Sequence, residues 1–79
     1  MNFRELKNPP ESFQIWGAVE PGIQYIIVLD LEDGTYSASY KMKEWNNKKP
    51  AFYLGSELDT FAKAEELCLI HQASISTKN

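Results

Sequence analysis

The chain has 79 residues, 43% of them hydrophobic, with a single cysteine, Cys68, which bounds it to one small domain spanning 1–79 and excludes an intrachain disulfide. Eight Lys and Arg against eleven Asp and Glu leave a net charge of −3, a balance unsuited to wrapping nucleic acid through phosphate contacts. No run approaches the roughly 18 apolar residues of a membrane span, and Met1-Asn2-Phe3-Arg4-Glu5 lacks the apolar core of a signal peptide, so the expected location is cytoplasmic, with no membrane contact.

Residues 1–12 are polar and contain Pro9-Pro10, which predicts an extended lead-in, a marginal short helix over 2–7 being the alternative. Phe13 to Val19 reads as a strand, closed by the turn residues Glu20-Pro21-Gly22. The next strand, Ile23 to Leu31, places Ile23, Tyr25, Ile27, Leu29 and Leu31 on one face. Glu32-Asp33-Gly34 supplies a hairpin, because Asp and Gly tolerate positive φ. The returning strand sets Tyr36, Ala38, Tyr40 and Met42 against Thr35, Ser37, Ser39, Lys41 and Lys43. After a polar loop from Glu44 to Pro50, Ala51 to Leu54 forms a short fourth strand, which Gly55 is expected to stop.

A helix region over 58–74 follows, with Thr60 as N-cap and Leu58 packing back on the first turns. At 100° per residue Phe61, Ala64, Leu67, Cys68 and His71 share one face, with Ile75 in line if the helix persists that far. Residues 76–79 read as a frayed tail. The predicted fold is α+β: an antiparallel four-stranded meander sheet over 13–54 (β-β-β-β-α) with one C-terminal helix packed on one face. A single helix leaves the other face open. Gln14, Trp16, Gln24, Ile26, Val28, Ser37, Ser39, Lys41 and Tyr53 are expected there, either covered by the N-terminal segment through Phe3 and Leu6 or presented to a partner.

The stretch from Tyr53 to Glu65, with Gly55, Thr60 and Ala64, resembles a strand–helix junction of plant ethylene-response-factor DNA-binding domains and of the arm-type domains of phage integrases. The same junction is frequent in small phage-encoded β-β-β-α proteins. Gly makes the turn, Thr caps the helix and Ala permits close helix–sheet approach; Leu58 stands one residue later than the aromatic residue usual in that family. The resemblance covers about a quarter of the chain and implies the fold. The family's DNA-binding members read base edges with several arginines on the strands, whereas this chain has only Arg4, ahead of the predicted sheet.

Cys68 and His71 lie three apart on the helix, but a dyad would need an exposed thiolate and an orienting third group, and a metal site would need further ligands. The expected arrangement is a buried thiol beside a partly buried His bonded to a carbonyl or a Tyr hydroxyl. Asp30, Glu32 and Asp33 lack the spacing of a calcium loop and read as a solvated hairpin or as a phosphate-mimicking patch. No catalytic residue, metal ligand or cofactor is therefore expected.

Charge is segregated along the chain. Lys41, Lys43, Lys48 and Lys49 surround Glu44, while Glu20 to Asp33 contains acids and no base. The function expected is a non-enzymatic protein-binding module, an inhibitor of phage or mobile-element type in the manner of anti-CRISPR proteins. It would occupy a nucleic-acid-binding or assembly surface of a host protein through Asp30, Glu32, Asp33, Glu57 and Asp59, with Trp16 or Trp45 as anchors. The alternative is direct nucleic-acid binding through Lys41, Lys43, Trp45, Lys48 and Lys49 with the open face. A small outer helix stripe of Ala62, Leu69 and Ala73 leaves the choice between a monomer and a weak homodimer.

Overall fold

A computed structural model of the chain describes residues 1–46 and 48–76. It contains five strands, β1 (Arg4–Glu5), β2 (Phe13–Glu20), β3 (Ile23–Asp30), β4 (Thr35–Met42) and β5 (Phe52–Leu58), followed by one helix, α1 (Phe61–Ser76). Every neighbouring pair is antiparallel and the order across the sheet is β1-β2-β3-β4-β5. The α+β class and the C-terminal helix are as expected; the sheet has five strands where four were predicted.

The extra strand comes from the lead-in. Arg4 pairs with Gly17 and Glu5 with Trp16, and Leu6 N–H donates to the Ile15 carbonyl at 2.8 Å. Arg4 therefore belongs to the sheet after all. The segment extends the sheet at its edge instead of folding over the open face, and Met1 and Phe3 pack on the helix side.

Turn chemistry fixes the register of the central strands. Pro21 supplies the φ of the first turn residue and Gly22 a φ of 78°, so Ala18 faces Tyr25 and Trp16 faces Ile27. In the β3–β4 connection Gly34 adopts φ 73° and donates to the Asp30 carbonyl at 2.8 Å. That turn sets Tyr25 opposite Tyr40 and Ile27 opposite Ala38.

The helix-facing side is the core: Ala18, Ile23, Tyr25, Ile27, Ala38, Ala64 and Cys68 are all buried. Helix positions 61, 64, 68 and 71 supply the facing stripe, as the periodicity predicts. Thr60 Oγ1 accepts from Lys63 N–H at 3.1 Å, the expected N-cap, which contributes about 1 kcal/mol. The helix runs to Ser76, slightly past the predicted end. Ile75 is exposed, because Gln72 already bonds Glu20 at the end of β2 and the next turn passes beyond the strands. The tail predicted over 76–79 falls, for residues 77–79, outside the described residues.

Gly55 does not stop the last strand. It pairs with Ala38 within β5, and two register shifts around that pair mark extra residues on β5. Glu57, in the second irregular stretch, has φ 56°. A Cβ on Gly55 would lie 2.5 Å from Leu67 Cδ1, so the Leu67 side chain of the helix packs into the space the glycine leaves. Two aromatic groups flank this small-residue seam. Phe61 meets Trp16, Phe3 and Tyr36 edge-on at 5.1, 5.8 and 6.2 Å. At the other end of the helix His71 stacks on Tyr40 at 4.2 Å.

The register places Phe13, Ile15, Val19, Gln24, Ile26, Val28, Ser37, Ser39, Lys41 and Tyr53 on the open face. Gln14 and Trp16, expected there, lie on the helix side instead: Trp16 pairs with the core residue Ile27.

Candidate functional site

The antiparallel meander sorts charge to opposite ends of the open face. At the β3–β4 hairpin end a concavity of about 380 Å³ is lined by Phe13, Val28, Asp30, Ser37, Tyr53 and Glu57, among others. Its floor is Val28 and Ser37, neighbours across β3 and β4, and its lining includes no Lys or Arg. Two acidic stretches far apart in sequence, around Asp30 and around Glu57, meet here because Tyr36 at the start of β4 pairs with Leu58 at the end of β5.

The hairpin acids are partly engaged in their own turn. Asp30 Oδ1 accepts from Glu32 N–H at 2.9 Å. Asp33 Oδ1 accepts from Thr35 Oγ1 at 2.7 Å and from Thr35 N–H at 3.0 Å, and these bonds hold the Asp33 carboxyl below the usual carboxylate range. Glu32 and Asp33 are exposed at the tip. Asp59 is drawn away from the concavity, forming an ion pair with Lys63 at 2.9 Å that lowers its pKa; both side chains are largely exposed and the pair contributes little stability. Of the predicted acidic set, the fold thus joins Asp30 and Glu57 in one concavity, while Glu32 and Asp33 stay on the exposed hairpin turn outside its lining. Phe13 was not anticipated there. Its mark in the sequence is an aromatic residue at the first position of a strand whose core-facing residues have the opposite parity.

Trp16 does not join them. Its ring lies against Phe61 and, at 6.3 Å, Tyr36, so it packs on the helix side of the sheet, away from the concavity. Trp45 is also engaged internally: a short 3-10 turn over Lys43–Trp45 brings its ring to 5.9 Å from Tyr40, with Lys49 Nζ 5.5 Å above it. Lys41 and Lys43 line a second concavity, of about 610 Å³, at the β2–β3 turn end. Lys48 and Lys49 are exposed in the loop that follows.

Cys68 is buried, and that burial, with the Glu65 charge adding, pushes its thiol up to about 11, so the thiolate is scarce at neutral pH. His71 Nδ1 lies 2.8 Å from the Tyr25 hydroxyl, the second of the two kinds of partner the sequence left open. Burial, aided by nearby Cys68, Glu20 and Tyr40, raises Tyr25 to about 12, which keeps it a hydroxyl. Among the described residues no three of His, Cys, Asp and Glu are placed to hold a metal ion, and no helix is long and apolar enough to cross a membrane.

Burial holds the His71 pKa below its ordinary value. The unfolded chain therefore binds this proton more readily, and stability is lost as pH falls through about 6.5 toward the folded value. The Tm should decline between pH 7.5 and pH 5. Asp33 and Asp59, whose folded values are depressed, withdraw their stabilisation only in more acid solution. Replacing His71→Gln should flatten the curve; a wild-type Tm constant over this window would count against the buried neutral imidazole.

No protein-family model, curated protein or solved structure matches the chain.

Proposed function

We propose that the chain is a small protein-binding module, without chemistry of its own, that docks its acidic sheet end on a basic surface of another protein. The observation that carries this reading is the convergence of Asp30 and Glu57 on one concavity walled by Phe13 and Tyr53. Carboxylates receive guanidinium or ammonium groups, aromatic faces stack on them, and the Val28 side chain with the aromatic walls accepts the aliphatic stems. Protein surfaces that bind nucleic acid offer those basic groups in place. A module that covers such a surface competes with the nucleic acid, which is the action of an inhibitor or adaptor of the phage type that the strand–helix junction resembles.

An arginine-rich peptide titrated calorimetrically at low and moderate salt tests the reading. Salt-sensitive binding is expected, with amide NMR shifts concentrated at Val28, Ser37, Tyr53 and Glu57. The double variant Asp30→Asn/Glu57→Gln should weaken binding by about tenfold or more. No binding at low salt, or the same affinity in the double variant, overturns it. Salt-sensitive tryptophan quenching by single-stranded DNA would instead favour Lys41, Lys43, Lys48 and Lys49 around Trp45.

A further inference from the structure

The open face is also self-complementary, and a second copy seated on it competes with the proposed basic partner for Phe13, Val28, Asp30, Ser37 and Tyr53. Its centre, Ile15, Ile26, Val28, Ser37 and Ser39, carries no charge. Asp30 stands at one end and Lys41 at the other, Lys41 pairing with Gln24 six residues before Asp30 on β3, so the two charges are separated by about 20 Å along the strands. Large apolar side chains remain uncovered at both ends and at one edge: Phe13 is 36% exposed at the acidic end, Val19 79% at the basic end and Tyr53 67% on β5.

We infer that this face binds a second copy of the chain, sheet against sheet, about a two-fold axis lying in the interface and running across the strands. That axis makes the strands of the two copies antiparallel. It sets each Asp30 toward the Lys41 end of the other copy and each Phe13 toward the other Val19. Tyr53 pairs with Ser39, near the strand midpoints, on edge strand β5, so the two Tyr53 rings meet close to the axis, an aromatic pair of the kind that stabilises interfaces. An axis along the strands would instead stack acid on acid and lysine on lysine, which like-charge repulsion disfavours. The chosen axis lays β1 over β1, so the two Arg4 side chains, near the midline at the exposed outer rim, turn to solvent, where screening makes their repulsion small. Three strands of eight residues and one of seven offer roughly 500 Å² per copy, about 1,000 Å² in total, the size of a weak, reversible interface. The result is four layers, helix–sheet–sheet–helix, with the outer helix stripe of Ala62, Leu69 and Ala73 left to solvent.

Sedimentation velocity from micromolar to millimolar protein tests this directly. A monomer–dimer equilibrium is expected within that range. Ser37→Arg and Val28→Lys, at the centre of the face, should each keep the native circular dichroism and remain monomeric throughout. Asp30→Lys or Lys41→Glu alone should weaken the dimer by about tenfold or more, and the two together in one chain should restore it, because the swap regenerates both contacts. A wild-type monomer at millimolar concentration overturns the inference and leaves the face to a foreign partner. Dimers that survive both Ser37→Arg and Val28→Lys place the contact elsewhere and overturn it equally. Failure of the charge swap to rescue two weakened, folded single variants overturns the antiparallel arrangement.

Discussion

Ile27→Ala should remove about 2–5 kcal/mol of stability. Ile27 is fully buried, on the core side of β3 between Trp16 of β2 and Ala38 of β4. Truncation deletes three carbons where the small neighbours Ala38 and Ala64 cannot expand to refill the space. A domain of 79 residues has only about 4–12 kcal/mol to lose, so the variant should melt roughly 10–30 °C lower or be partly unfolded at room temperature. The adjacent Val28→Ala is the internal control. Val28 faces the other way and is only partly buried, so in dilute solution its loss should be about 1 kcal/mol or less. Urea titrations of both variants check the pair. Equal losses would mean that β3 is slipped by one residue, which would exchange its two faces.

Ala64→Leu acts through the opposite defect. Ala64 and Ala38 are fully buried, and Gly55 sits so close to Leu67 that a Cβ there would collide with it. Three added carbons at Ala64 find no space, and α1 must lift from the sheet or force its neighbours off their rotamers, at a cost of about 1–3 kcal/mol. Lifting the helix also pulls Phe61 from Trp16 and His71 from Tyr40, so near-UV circular dichroism should weaken while far-UV helix content persists. The same substitution at exposed Ala62, two residues away, should change stability by less than about 0.5 kcal/mol. Comparable effects at both positions would remove the close-approach seam.

The parts of this fold that could be read from the sequence are those set by local chemistry. Thr60 ahead of an apolar repeat marks the helix start, Asp33-Gly34 marks a hairpin, and the strict alternation from Thr35 to Met42 gives β4 its two faces. That His71 needs a partner was legible from its place on a buried face, but the sequence left a carbonyl and a tyrosine hydroxyl as alternatives, and the facing strand decides for Tyr25. What escaped depends on pairing at a distance or on breaks in periodicity. β1 is two residues long and has no alternation to detect; only its pairing with Gly17 and Trp16 makes it a strand. In β2, Ile15, Trp16, Ala18 and Val19 put apolar residues on both faces, so composition cannot choose which side Trp16 takes. The turn after Gly22 and the partner Ile27 decide it. In β5, Gly55-Ser56-Glu57 reads as a loop because a bulge with a positive φ at Glu57 has no residue signature. The same bulge carries Glu57 to the acidic concavity, so the candidate site was legible as charge and not as geometry.

The coincidence of chain order with spatial order, β1 through β5, also bears on how the molecule is made. Each strand finds its partner a short connection away, which gives low contact order in the sheet and favours rapid hairpin-by-hairpin growth. The helix is the exception, because it covers β3 and β4 only after all of them have been synthesised. Until residues 61–76 leave the ribosome, Tyr25, Ile27 and Ala38 form an uncovered apolar surface opposite a face that is open as well. The nascent sheet is then bare on both sides, and the interval before the helix emerges is when it is most exposed to misassociation.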